Sequence, residues 1–304
     1  MKALNFYGRF LLSFTAIGYA ARGLPVRPVK NRLDGQTWLV TGATGGIGRA
    51  IALEAATRGA KVYAVGRRKD ALDELSSSCP PRSIMPIVSD LSLVRENLEL
   101  ARNSSHIDVL VNNVGILEPQ FKSTSEGYGR MYGTNLLGPY ALTRELLRLR
   151  KLDRSTIINV ASGGLYNLPL NLDHLDADQQ TFNAFAAYAT QKRSQIELSD
   201  MWDRGPNGCR AYTMHPGWVK TAGVASALPR MDRFIGPILR TTKQGADTVL
   251  WLAAEQPQTQ AGALWFDRKA RSAHAYTRTR QPLATPEQLR SRLDEDLKRL
   301  EQMA

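Results

Sequence analysis

Tyr188-Ala189-Thr190-Gln191-Lys192 sets a phenol and an ammonium four residues apart, on one face if the segment is helical. A free phenol has a pKa near 10, too high for easy proton exchange at neutral pH. A nearby ammonium favours the ionised form, so the pair is a candidate general acid/base. Y-x-x-x-K occurs once in the chain, and on its own it is weak, because exposed helix surfaces often carry it. Upstream, Ile157-Ile158-Asn159-Val160-Ala161-Ser162 is an apolar run that ends in a hydroxyl. The context V-A-S-G-G is not a G-x-S-x-G elbow, which argues against a serine hydrolase. Ser162 is instead suited to donate a hydrogen bond to a substrate carbonyl. Asn135, in Tyr132-Gly133-Thr134-Asn135-Leu136-Leu137-Gly138, falls inside a predicted long helix, where asparagine is locally unfavourable. A tertiary or functional reason for it is expected.

Chemistry of this kind needs a partner, and Thr37–Gly48 reads as its binding site. The apolar Trp38, Leu39 and Val40 run into a turn containing Gly42, Thr44, Gly45, Gly46, Ile47 and Gly48, followed by a helix-compatible segment. Strand, glycine turn and helix N-terminus together form the geometry that binds a dinucleotide pyrophosphate. Glycines permit close backbone approach, and the helix end offers unpaired N–H groups. The alternative is an ordinary βα turn without a ligand. A Walker A loop is excluded because no Gly-Lys-Ser/Thr follows.

A carboxylate at the end of the next strand would hold a ribose 2′-OH. Val65-Gly66-Arg67-Arg68-Lys69 offers cations there, and arginine suits a bidentate contact with a 2′-phosphate. A charge run is ordinarily a solvated surface, but its position at the strand tip favours NADP(H) over NAD(H). Ser89-Asp90-Leu91 places a carboxylate where it could meet an adenine amino group.

The positioning elements alternate. Strands are predicted over the apolar run Trp38–Val40 and at 61–65, 83–88 (weakened by Pro86), 108–112, 156–161, 210–214 and 263–266. Helices are predicted near 46–58, 69–77, 92–102, 125–150, 182–203 and 242–254. Such alternation implies an α/β fold, a doubly wound parallel sheet with helices on both faces and ligands at the strand carboxyl ends. The 304 residues fit one domain: a body over 34–267, a basic N-terminal extension over 1–33 and a basic C-terminal extension with a terminal helix over 268–304. Residues 1–33 carry six basic and no acidic side chains, and 268–304 carry nine against five. The body, with 25 against 23, is nearly neutral. Basic ends suit an anionic surface such as a phospholipid leaflet. Nucleic acid is not expected, since the body has no basic stripe with interleaved aromatics. Cys79 and Cys209 lie far apart, and the four histidines form no ligand-like pair. A disulfide framework and a metal site are therefore not expected, and a reducing intracellular compartment is.

In residues 1–24, Phe6, Tyr7, Phe10, Leu11, Phe14 and Ile17 mark one apolar helical face. The segment is too short, and too interrupted by Arg9, to span a bilayer. It reads as a helix packed on the body, as an interfacial membrane helix, or as a mitochondrial targeting segment. Cytoplasmic, membrane-associated and mitochondrial locations stay open.

The glycine turn, Asn112-Asn113-Val114-Gly115, Asn135, Ser162, Tyr188-x-x-x-Lys192 and Pro216-Gly217 with Thr221 together resemble the short-chain dehydrogenase/reductase family over about residues 35–255. Met214–Trp218, Gln244–Thr248, Trp251–Ala253 and Phe266–Lys269 are similar to its member-12-like branch. The resemblance implies that Tyr188 transfers a proton. Lys192 would hold the nicotinamide ribose and tune the tyrosine, and Ser162 would polarise the carbonyl. Asn135 would support a water linking Lys192 to solvent. It further implies that Asn113, Gly115 and Val160 line the cofactor, and that Pro216, Gly217, Val219 and Thr221 meet its nicotinamide end. Two departures stand out. Val114 replaces the usual alanine, and Ser162 and Tyr188 are separated more widely than in much of the family, as in the retinol-dehydrogenase-like branch.

Val224, Leu228, Met231, Phe234 and Ile235 would form an apolar lid, favouring an apolar carbonyl or alcohol such as a lipid aldehyde, retinoid or steroid. A helix packed on the core explains them equally. Arg230, Arg233 and Arg240 stand near, but none reads as a clamp for a charged substrate. The expected function is an NADP(H)-dependent oxidoreductase. Its rival is a cofactor-binding, membrane-associated scaffold with little turnover. A second copy of the chain is a further candidate partner.

Overall fold

The computed structural model describes residues 2–29, 31–176, 178–227 and 229–302, with residues 2–7, 227 and 230–232 described as backbone only. Two helices come first, α1 (Lys2–Phe14) and α2 (Ala16–Ala21). There follow β1 (Thr37–Thr41), α3 (Gly46–Thr57), β2 (Lys61–Gly66), α4 (Lys69–Ser77), β3 (Ile84–Val88), α5 (Val94–Asn103) and β4 (Val109–Asn112). The chain continues through α6 (Arg130–Tyr132), a π turn over Gly133–Leu137, α7 (Gly138–Arg148), β5 (Thr156–Val160), α8 (Ala184–Asp203) and β6 (Arg210–Met214). It ends in α9 (Ala222–Ala227), α10 (Pro229–Ile235), α11 (Thr242–Glu255), β7 (Ala263–Phe266), β8 (Lys269–Ser272) and α12 (Pro286–Gln302).

The eight strands are ordered β3-β2-β1-β4-β5-β6-β7-β8, all parallel except β8. Both faces of the sheet are covered, which is why its inner strands read as unbroken apolar runs. Alternate side chains still choose opposite faces. Trp38, Val40, Val62, Val109, Val111 and Ile158 enter the core shared with α3 and α11. Leu39, Val65, Leu110 and Ile157 enter the core shared with α5, α7, α8 and α12. Pro86 is tolerated because β3 is an edge strand, where a missing N–H costs no ladder bond on the open side. The strand order reverses between β1 and β4, so the crevice for a ligand opens at their carboxyl ends.

Three expectations are adjusted. The helix predicted over 125–150 begins at Arg130, because Gly127 adopts φ 82° and Ser123 bridges to Gly129. The antiparallel β8 was not expected. It is reached through a two-residue turn in which Asp267 and Arg268 take φ 51° and 58°, the mirror-image turn that matches hairpin twist. The N-terminal segment forms two helices packed on the body, with Phe14 buried. Among the described residues no helix is long and apolar enough to cross a membrane.

Candidate active site

The turn after β1 is built for close approach. Gly42 and Gly46 adopt φ 69° and 56°, where a side chain would be strained. A β-carbon on Gly48 would lie 2.2 Å from the Gly42 carbonyl oxygen and 2.5 Å from Asn113 Nδ2. Gly45 caps α3 without a side-chain hydrogen bond, which leaves the helix's first amides free to meet an anion. The turn is pinned from β4. Asn113 Nδ2 donates to the Thr41 carbonyl at 2.8 Å, and the amides of Asn113 and Val114 donate to Thr41 Oγ1 at 2.9 and 3.1 Å.

An open cleft of ≈ 660 Å³, solvent at its mouth included, runs from Gly42 and Thr44 past Arg67, Asp90 and Leu91 to Val114, Glu118 and Arg130. Arg68 donates to the Thr44 carbonyl at 2.8 Å, which ties the basic tip to the glycine turn. Arg67 stands 4.0 Å from Asp90, both exposed. Asp90 accepts from the Ser92 amide and hydroxyl at 3.1 and 2.8 Å, so its carboxylate is held in place. The glycine turn, open helix end and cationic strand tip suit a dinucleotide: the pyrophosphate at α3, the adenosine end at Arg67, Asp90 and Leu91.

At the other end of the crevice, α8 brings Tyr188 and Lys192 to the end of β5. Ser162 follows β5 and caps a short 3₁₀ turn, accepting from the Gly164 amide at 3.3 Å. Burial raises the Tyr188 phenol above its usual pKa, and the neighbouring Ser162 hydroxyl pulls it back down. Lys192 is buried, which lowers its pKa to about 8. Its Nζ donates to the Val160 carbonyl at 2.9 Å and lies 6.0 Å from the Tyr188 ring centroid. The expected lowering of the tyrosine by this ammonium is thus not the main influence; burial and Ser162 are. A β-carbon on Gly115 would sit 3.1 Å from Lys192 Nζ and 3.4 Å from Asn135 Oδ1. Gly115 therefore lies between the cleft wall formed by Val114 and Ile116 and the buried Lys192.

Asn135 lies in the π turn between α6 and α7, a distortion frequent at functional sites. Its side chain clamps Ile116, accepting from the amide at 2.8 Å and donating to the carbonyl at 2.9 Å, and donates also to Gln191 at 2.9 Å. Its own carbonyl accepts from Gln195 Nε2 at 3.0 Å. The structure thus adds Gln191 and Gln195 to the surroundings of Asn135.

Beyond β6, Gly217 takes φ 80°, and Val219 bridges to Arg240. Thr221 reaches the glycine turn, since a β-carbon on Gly46 would lie 3.3 Å from its Cγ2. Val219 and Ile47 both crowd Gly245, at 2.7 and 3.3 Å from a β-carbon there. The Pro216 carbonyl faces inward instead, accepting from Arg240 at 3.3 Å.

A family model described as short chain dehydrogenase matches residues 36–231. This chain belongs to the short-chain dehydrogenase/reductase family. It is 32% identical to human dehydrogenase/reductase SDR family member 12 over 100% of this chain and 98% of that protein. Human retinol dehydrogenase 11 is 29% identical, over 73% and 74% of the two chains. A solved structure from Beutenbergia cavernae, described as a provisionally assigned NAD(P)-dependent gluconate 5-dehydrogenase with NADP bound at low occupancy, is 26% identical. It covers 74% of this chain and 91% of that one with a TM-score of 0.58. The chain is therefore an oxidoreductase of a family that binds NAD(P).

This dehydrogenase/reductase also has parts around its site that sequence reasoning missed. Asn112, Asn159, Ser199 and Thr213 form a buried hydrogen-bonded chain between β4, β5, α8 and β6, at 3.0, 2.9 and 2.7 Å. Thr213 Oγ1 donates to the Gln195 carbonyl at 2.9 Å, which fixes α8 to the sheet beneath Lys192. Their only signal was polar residues inside apolar runs. Of the residues expected to form a lid, Val224 and Ile235 pack against the cluster that contains Trp218, while Phe234 is 77% exposed. Leu228, and the side chains of Phe6, Tyr7, Arg230 and Met231, lie outside the described residues. Arg240, read from sequence as standing near this segment but not as a clamp for a charged substrate, is fully buried against Asp267. Among the described residues no group of three His, Cys, Asp or Glu could hold a metal.

Proposed function

We propose that the chain is an NADP(H)-dependent reductase or dehydrogenase of an apolar carbonyl or alcohol, working over the body 34–267 with the two basic extensions packed on it. The observation that carries this is the convergence of Ser162, Tyr188 and Lys192 at the sheet edge, with Gly115 between Lys192 and the cleft wall. Tyr188 gives the proton to the forming alkoxide, or takes it from the alcohol. Ser162 donates to the substrate oxygen. Lys192, held by the Val160 carbonyl, stands beside the ribose position, and Asn135 braces the Ile116 segment that borders it. Bound nicotinamide supplies or accepts the hydride.

The glycine turn with Asn113 and Thr221 holds the pyrophosphate, and Pro216, Gly217 and Val219 border the nicotinamide end. Arg67 and Arg68 favour the 2′-phosphate, a reading supported by the absence of a carboxylate at the β2 tip and by the NADP carried by the Beutenbergia relative. Arg67→Ala is expected to raise the Kd for NADPH about tenfold, the loss of one charge-assisted contact, and to leave NADH within about twofold. Equal weakening of both cofactors would remove the 2′-phosphate contact from the account.

An apolar substrate is supported by the likeness to retinol dehydrogenase 11 and by Val224, Ile235 and Trp218 in the lid region. The acid-free N-terminus and the exposed Leu12 and Ile17 on α1 and α2 support peripheral contact with an anionic membrane. The protein should then co-sediment with phosphatidylserine-containing vesicles and Leu12→Glu should not. Equal sedimentation of the two would dismiss the contact. A scaffold without turnover explains the basic ends equally, but gives no reason for Ser162, Tyr188 and Lys192 to converge.

A further inference from the structure

The loop that carries Ser162 is held from behind by a segment far away in sequence. A β-carbon on Gly163 would lie 2.9 Å from Phe14 Cε2 and 3.1 Å from His215 Nε2, so the two rings fill the space behind this glycine. Phe14 meets the His215 ring edge-on at 4.5 Å, Phe266 at 5.2 Å and Trp218 at 5.6 Å, and stacks on Phe10 at 4.5 Å. Tyr166, four residues beyond Ser162, lies 5.4 Å from Phe10 and 6.2 Å from Phe14.

The strap that brings Phe14 there is locked in place. Arg240 donates to the carbonyls of Ser13, Phe14 and Thr15 at 3.2, 3.0 and 3.3 Å, where α1 ends and α2 begins. Its guanidinium pairs with Asp267 through both oxygens, at 2.6 and 2.9 Å, and each side chain is 1% exposed. Arg22, at the end of α2, reaches the same carboxylate at 2.8 Å and Ser13 Oγ at 2.6 Å. The Trp218 amide donates to the Phe14 carbonyl at 2.8 Å, which couples the strap to the loop after β6.

We propose that residues 10–22 form a strap that positions Ser162, with Phe14 as the contact that fixes the Ser162–Gly164 turn against Tyr188. The proposal rests on Ser162 and Tyr188 as the proton-handling pair. Phe14 touches neither substrate nor cofactor in this account; it acts through Gly163. The strap thereby ties the N-terminal helices to the site, since a displaced Phe14 frees the turn that holds the hydroxyl.

Tyrosines labelled with carbon-13 at Cζ give the test, the Tyr188 signal being assigned by its loss in Tyr188→Phe. The signal reports the surroundings of the phenol, to which the Ser162–Gly164 turn contributes. In Phe14→Ala it is expected to move in the same direction as in Ser162→Ala, while Val26→Ala, an exposed position of the same N-terminal extension, leaves it in place. A Tyr188 signal that stays at the wild-type position in Phe14→Ala overturns the proposal. So does one that fails to move in Ser162→Ala, or one that moves equally in Val26→Ala. Should Phe14→Ala not fold, Phe14→Leu keeps most of the buried volume and is read the same way. No turnover enters this measurement, so its failure is distinct from a failure to reduce any carbonyl.

Discussion

Tyr188→Phe is expected to lower kcat by about 10²–10⁴-fold, the usual contribution of a positioned acid/base, while NADPH binding stays within about twofold. The substitution removes one hydroxyl from a ring that otherwise keeps its place. The Gly164 main chain packs against that ring, a β-carbon there lying 3.5 Å from Tyr188 Cδ1, and phenylalanine preserves this contact. Lys192 keeps its Val160 carbonyl, and the glycine turn is untouched. The loss should therefore fall on kcat and not on cofactor affinity. Steady-state rates at saturating NADPH, alongside a fluorescence titration of the cofactor, check both parts. A variant that keeps more than about half the wild-type kcat would remove Tyr188 from proton transfer.

Asp267→Asn should be the most damaging single change away from the chemistry. It leaves Arg240 buried without its counter-charge, and it takes the same partner from Arg22. Removing one member of a buried pair costs about 3–5 kcal/mol, because the other charge stays desolvated. That corresponds to a fall in Tm on the order of 10 °C. Asparagine tolerates the positive φ that Asp267 adopts, so backbone strain does not confound the result. Adding Arg240→Met to Asp267→Asn should recover part of the loss, since the orphaned charge is then gone. Thermal unfolding of the three proteins decides it. An unchanged Tm in Asp267→Asn would mean that the buried pair contributes nothing to holding the strap.

What was legible in the sequence was local. Strand, glycine turn and helix lie consecutively between Thr37 and Thr57, and Tyr188 and Lys192 share one helix, so periodicity and spacing sufficed for both. The parallel sheet followed from strict alternation. What escaped was set by contacts between distant residues. β8 is a short polar run, Lys269–Ser272, whose turn has neither glycine nor asparagine, and only pairing with β7 makes it a strand. The π turn at Gly133–Leu137 leaves a sequence that still reads as helix. Gln195 and Arg240 carry no signal of burial in their neighbours. A buried arginine needs its carboxylate, and Asp267 lies in a different element, at the β7–β8 turn. The N-terminal aromatics announced an apolar face but not the surface that accepts it. That surface is assembled from the segment after β5, α8, β7 and the loop after β6, which meet only in the folded chain.

The central claim is that this chain passes hydride between NADPH and an apolar carbonyl with Tyr188 handling the proton. Deuterium transfer tests it most directly: NADPH deuterated at the transferring position of C4, incubated with wild type or Tyr188→Phe and a panel of apolar aldehydes and ketones, followed by mass spectrometry of the alcohols. The account predicts deuterium on the former carbonyl carbon of at least one product with wild type, and its near-absence with the variant. NADPH bound by the wild type with no deuterated alcohol from any member of the panel would contradict it.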